Sequence, residues 1–153
     1  MNLSFDVVKQ LAGKTIATAE SLTGGGIGFA LTAVPGSSAV YKGGIISYTD
    51  EVKMDVLGVT AAHLKKYGAV SAPVAEEMAA GVRKLFHSDI AVSVTGLAGP
   101  SGDAYGHPVG TVFIGYQDRC HSVVEHHCFS GDREAVREQT ILAALKLILQ
   151  INA

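Results

Sequence analysis

The sequence of 153 residues has no Trp, two Cys, four Pro and only 17% charged residues. So little charge excludes a chain that is mainly a solvated disordered tail. Lys plus Arg number 12 against 14 Asp plus Glu, a formal charge of −2. The basic footprint of a nucleic-acid binder is absent, and no nucleic-acid partner is expected. The apolar runs are short and broken by Gly, Ser or Thr, so no bilayer span and no membrane partner are expected. Residues 1–14 lack a basic segment followed by a long apolar run and a cleavage site, so no secretory signal is expected. If Cys120 and Cys128 share one strand, a rise of about 3.3 Å per residue sets them roughly 26 Å apart, beyond the ~7 Å reach of a disulfide. Unpaired thiols fit a reducing cytoplasm, the expected location. What is present in excess is Gly, at 18 residues, within a chain that is 48% apolar. That length and composition predict one domain over residues 1–153 with a sizeable core and tight backbone turns of the kind small-ligand sites use.

Apolar periodicity alternates between strand and helix. Strands are predicted over residues 14–20, 43–48 and 89–95, with a hairpin of 109–117 and 121–129 turning at Asp118-Arg119. Helices are predicted over 24–34, 50–57, 61–67, from an N-cap at Ser71 to about 86, and over 132–149. The last carries Val136, Ile141, Leu142, Leu145, Ile148 and Leu149 as its apolar stripe. Residues 96–108 read as a Gly- and Pro-broken loop. The expected fold class is α/β: a three-layer α/β/α sandwich on a mostly parallel mixed sheet with one antiparallel strand.

Standard site motifs fail. Gly24-Gly25-Gly26-Ile27-Gly28 follows a strand, but the last Gly of a dinucleotide fingerprint is replaced by Phe29 or Leu31, depending on the register. Gly13-Lys14 has Val8 where a phosphate loop needs Gly. Ala19 and Thr23 flank Ser21 where a nucleophile elbow needs Gly. The His and Cys spacings make no metal site, and no metal is expected. Ser21 remains, at the point where a parallel strand gives way to a Gly-rich helix and ligands collect. On spacing alone Ser21 or Thr23 reads as the helix N-cap. The other reading makes Ser21 a nucleophile, with the N–H groups of Gly24, Gly25 and Gly26 open to an anion. Such a serine needs a base. Lys53, about a turn beyond the strand-end Tyr48, is the candidate if it is desolvated; otherwise it belongs to a solvated helix face. Asp50 and Glu51 are expected to face solvent, with Val52, Val56 and Leu57 turned inward.

Several blocks occur in a familiar order. They are Thr18-Ala19-Glu20-Ser21-Leu22-Thr23-Gly24-Gly25, Pro35-Gly36-Ser37-Ser38, Gly43-Gly44-Ile45-Ile46-Ser47-Tyr48 reaching Lys53, and Gly68-Ala69-Val70-Ser71. Thr95-Gly96-Leu97-Ala98-Gly99-Pro100, Pro108-Val109-Gly110-Thr111-Val112 and Phe129-Ser130-Gly131-Asp132-Arg133 follow. Across nearly the whole chain this resembles the CinA C-terminal domain family, the nicotinamide mononucleotide deamidases. The resemblance implies hydrolysis of that nucleotide's carboxamide to nicotinate mononucleotide and ammonia, with no cofactor. By motif position it implies Ser21 as nucleophile, Lys53 as base and Tyr48 orienting Lys53 or relaying its proton. Thr23, Gly24, Gly25, Thr95, Gly96, Ala98 and Gly99 are expected against the substrate. Arg133 and Arg137, one turn apart at the start of the last helix, are candidates for the 5′-phosphate, or else pair with Glu134 or Glu138.

The chain departs from the family pattern in places. Leu22 stands where relatives commonly have Cys. Tyr105-Gly106-His107 replaces a more charged stretch. The N-terminal helix is expected to be cut short. The expected partner is a small molecule, and a homodimer or higher homo-oligomer is the expected assembly. The alternative function is a non-catalytic interaction module linked to competence or DNA damage.

Overall fold

The computed structural model describes residues 2–153. Five strands, β1 (Ile16–Glu20), β2 (Tyr41–Ile46), β3 (Ile90–Gly96), β4 (Thr111–Gln117) and β5 (Ser122–Cys128), form one sheet in the order β2-β1-β3-β4-β5. β1 is parallel to both β2 and β3, and β4 is antiparallel to both β3 and β5. Four strands therefore run one way and β4 alone runs against them, as the alternation of elements predicts.

Helices cover both faces. α1 (Leu3–Gln10), α2 (Gly26–Thr32) and α6 (Arg133–Ile151) lie on one; α3 (Asp50–Leu57), α4 (Ala61–Tyr67) and α5 (Ala72–Phe86) lie on the other. The strand period of two sorts the core. Ile16, Ile90, Val92 and Val94 face α1, α2 and α6. Ala17, Ala19 and Ala91 face α5.

α3 and α4 keep their predicted bounds. α1 is present as a short helix with Asn2 as its cap, accepting from the Phe5 amide at 3.2 Å. β2 starts and stops two positions before its predicted bounds. Its pairing to β1 ends at Glu20 and Ile46, and the Ser47 amide donates to the Glu20 carbonyl at 2.7 Å, so Tyr48 leaves the sheet. Leu142 of the expected stripe and Val56 of the expected inward set are exposed. Thr140, Ala144 and Leu147 are buried on α6, and Lys53 with Leu57 makes the inward row of α3. Ser71 holds the N-cap position of α5, but its hydroxyl donates to the Gly68 carbonyl instead.

The parallel strands β1, β2 and β3 present their carboxyl ends at one edge of the sheet. Because β4 is reversed, β5 ends at that edge too and delivers the start of α6 there. Four chain segments far apart in sequence therefore meet at one rim.

Candidate active site

At the end of β1, Glu20 lies on the same face as α2 and is 2% exposed. Its carboxylate accepts from the amides of Ile27 (2.8 Å) and Gly28 (3.0 Å) and from the Thr23 hydroxyl (2.6 Å). The first turn of a helix leaves such N–H groups without partners, and a carboxylate placed there also meets the positive end of the dipole. Glu20 thus caps α2 from the preceding strand. Gly25 occupies the N-cap position with no side-chain cap. Neither Ser21 nor Thr23 is the cap, so the bland reading of Ser21 fails. The Gly24 amide donates to the Ser21 carbonyl and the Gly26 amide to the Thr23 carbonyl. Of the three amides expected to wait for an anion, those of Gly24 and Gly26 are thus taken by the turn itself, while Glu20 holds the two that follow, of Ile27 and Gly28. Gly24 and Gly25 adopt φ of +58° and +97°, the left-handed region that glycine enters freely.

Ser21, 7% exposed, turns away from α2 toward α3. Lys53 Nζ lies 3.2 Å from its Oγ and donates to the Ser47 carbonyl at 2.7 Å. Lys53 is 1% exposed. Burial holds its amine below the ordinary lysine pKa, against the opposing charge of Asp50. The lysine is therefore a buried amine on a serine hydroxyl and not part of a solvated face. The Ser47 carbonyl, which sequence reasoning missed, orients it; Tyr48 does not bond it. Ser47 is itself pinned, its hydroxyl donating to the Glu20 carbonyl at 3.3 Å.

Tyr48 is 59% exposed at the rim. Its hydroxyl oxygen accepts from Arg133 Nη2 at 2.9 Å, and Arg133 Nη1 donates to the Gly99 carbonyl at 2.7 Å. Arg137 Nε donates to the Leu22 carbonyl at 2.9 Å, behind the Ser21 turn. Both arginines grip backbone or phenol, and neither pairs with Glu134 or Glu138 among the described residues.

Ser21, Tyr48, Lys53, Thr95, Gly96, Ala98, Gly99 and Arg133 line one cavity of about 570 Å³. Thr23, Gly24, Gly25 and Arg137 stand outside that lining, supporting the turn. Asp50 and Glu51 are both exposed, as expected; Asp50 also lines the cavity and Glu51 does not. The far wall is the loop that departs from the family pattern. Tyr105 donates to the carbonyls of Leu64 (3.1 Å) and Lys65 (2.7 Å), docking the loop on the end of α4. Asp103 accepts from the Tyr105 and His107 amides and sits 2.8 Å from the His107 ring. Those contacts bring the Asp103 carboxyl below its ordinary pKa despite partial burial.

The arrangement can carry nucleophilic acyl chemistry: a hydroxyl, a neighbouring amine of depressed pKa, and a cavity opening on both. The family model of the CinA C-terminal domain matches residues 2–151. This chain belongs to the CinA C-terminal domain family. It is 42% identical to the nicotinamide-nucleotide amidohydrolase PncC of Escherichia coli (strain K12), over 98% of this chain and 93% of that one. It is 46% identical to a CinA-like protein of Thermotoga neapolitana over 87% of this chain. The chain spans about a third of the length of the CinA-like relatives, 32% in that case. A crystal structure of a CinA superfamily protein from Klebsiella pneumoniae superposes with a TM-score of 0.96 at 36% identity, covering 98% of this chain and 95% of that one. Leu22 of this CinA-family chain is a buried core residue of the α1–α2–α6 face.

Proposed function

We propose that this cavity hydrolyses the carboxamide of nicotinamide mononucleotide to nicotinate mononucleotide and ammonia. The observation that carries the reading is the buried Lys53 amine at 3.2 Å from the Ser21 hydroxyl on the cavity wall. A buried amine without an ion-pair partner is costly to a fold, and a non-catalytic module has no use for one. The name of the E. coli relative supports the choice of substrate.

In the neutral form, one Lys53 N–H stays on the Ser47 carbonyl and the lone pair accepts the Ser21 proton. Ser21 Oγ then bonds to the carboxamide carbon, and the carbonyl electrons move onto oxygen. Arg133 already donates to the Tyr48 oxygen, so the phenol keeps its own proton to donate to that oxyanion. The C–N bond breaks as Lys53 returns its proton to the leaving amide nitrogen, releasing ammonia. Water then attacks the acyl ester, giving its proton to Lys53, and Ser21 departs reprotonated. These steps need neither metal nor redox cofactor. Arg133 has five N–H donors and spends two within the chain. The remaining three can fork a 5′-phosphate. The exposed, unbridged Cys120 and Cys128 support a reducing cytoplasm as the site of the reaction.

The test is ammonia release from nicotinamide mononucleotide. Wild type should release it. Ser21→Ala should lose on the order of a thousandfold or more in kcat with little change in Tm, because Ser21 caps nothing. Lys53→Arg should be equally inactive, since a guanidinium keeps its proton. No release by wild type overturns the reading and favours the non-catalytic module. Substantial activity in Lys53→Arg removes Lys53 as the base.

A further inference from the structure

Asp50 is the first residue of α3, three positions before Lys53 and so on nearly the same helix face. It lines the cavity beside Ser21, Tyr48 and Lys53. Every other charged group there has a structural engagement. Asp103 is held by the His107 ring and by two amides. Arg133 grips Gly99 and Tyr48. Lys53 is held between Ser21 and Ser47. The two phenols are engaged as well, Tyr48 with Arg133 and Tyr105 with the carbonyls of Leu64 and Lys65. Among the described residues, ion pairs join carboxylates only to histidines, and none includes Asp50. Among the described residues, Asp50 is the cavity's one free carboxylate.

This placement works against the free enzyme. A carboxylate near a general base favours the protonated, inactive ammonium, and the Asp50 charge does act on Lys53 in that direction. The opposition disappears if the ligand brings a fixed positive charge into the same space. Resting on the reading of the cavity as a nicotinamide mononucleotide site, we infer that Asp50 selects a cationic pyridinium ring over a neutral ring of the same shape. The quaternary nitrogen belongs to the ring that bears the scissile carboxamide, so a substrate poised at Ser21 carries its charge into the space Asp50 faces. The bound cation neutralises Asp50 and itself disfavours a protonated Lys53. The substrate thus helps to prepare its own base.

The test compares oxidised nicotinamide mononucleotide with its reduced dihydro form, which has the same ribose and phosphate but a neutral ring. Binding is measured by calorimetry on the full chain in the Ser21→Ala background, where no turnover interferes. The oxidised form should bind about fivefold or more tightly than the reduced form, the discrimination expected of one partly solvated charge pair. Adding Asp50→Asn should bring the ratio close to one. Adding Glu51→Gln should leave it unchanged, although Glu51 lies in the same helix turn and complements the same dipole. In the active protein, Asp50→Asn should move the acidic limb of kcat/KM to lower pH, because Lys53 loses its neighbouring anion.

A ratio that Asp50→Asn leaves intact, or that both variants change equally, overturns the inference while ammonia release from wild type keeps the parent reading. A wild-type chain that releases no ammonia overturns both.

Discussion

Lys53 shows how one residue can be legible as a type and illegible as a role. In the sequence it stands among Asp50, Glu51 and Asp55, which is the pattern of a solvated helix face. In the structure it is the one charged-type residue of α3 that turns inward, because the helix buries positions 53 and 57 against the sheet and α5. The consequence is measurable. Its folded pKa lies below the ordinary 10.5, so between the two values the unfolded chain binds more protons than the folded one. Stability should therefore rise with pH across that window, with the full penalty of burying the ammonium below it. Lys53→Met should remove this rise while abolishing turnover. Urea unfolding of both proteins at several alkaline pH values checks the first outcome, and equal slopes with pH would contradict it.

The turn that carries Ser21 leads into α2, and the start of that helix depends on a residue outside it. Sequence rules for helix caps look one to three residues ahead of the helix and so point to Ser21 or Thr23. Glu20 reaches the amides of Ile27 and Gly28 because β1 runs directly under α2, a relation that no local pattern encodes. Glu20→Ala should cost about 1–3 kcal/mol, measured by chemical denaturation, since it strips buried amides of their acceptor. It should also lower kcat by loosening the Ser21 turn. α6 works on the same rim with two arginines of different function. Arg133→Ala should raise KM for the mononucleotide and, by releasing Tyr48, lower kcat as well. Arg137→Ala, which frees only the carbonyls behind the turn, should change kcat with little effect on KM. Steady-state kinetics of the pair separates the two, and identical profiles would contradict the assignment.

At the scale of the molecule, the residues of the proposed site gather at the carboxyl-end rim, and the opposite rim carries the β4–β5 turn. There the β4–β5 hairpin turns on Asp118, which accepts from the Tyr116 hydroxyl and from the amides of Cys120 and His121. Partial burial raises its pKa, but those hydrogen bonds and the His121 ring outweigh that and bring it to about 2. Its folded pKa is below its unfolded value, so its stabilising contribution is present above the ordinary 3.8 and is lost as pH falls toward 2. Asp118→Asn should therefore flatten the acid side of the stability profile without touching turnover at neutral pH, a comparison that thermal melts between pH 2 and pH 5 would make.

The sequence by itself determined the period of each segment, and with it the order of strands and helices, the sandwich, and the family to which Ser21, Tyr48 and Lys53 belong by motif position. Those are local properties: apolar spacing, turn residues and short blocks survive in one dimension. Only the tertiary structure decided which side chains share a volume. Parallel pairing brings the ends of β1, β2 and β3 to one rim, and the reversed β4 lets β5 deliver Arg133 to the same place. Whether the exposed Asp50 borders the cavity, whether Ser21 caps a helix or meets an amine, and which amides are already taken all depend on contacts between residues far apart in the chain. Distance along the chain carries no record of them.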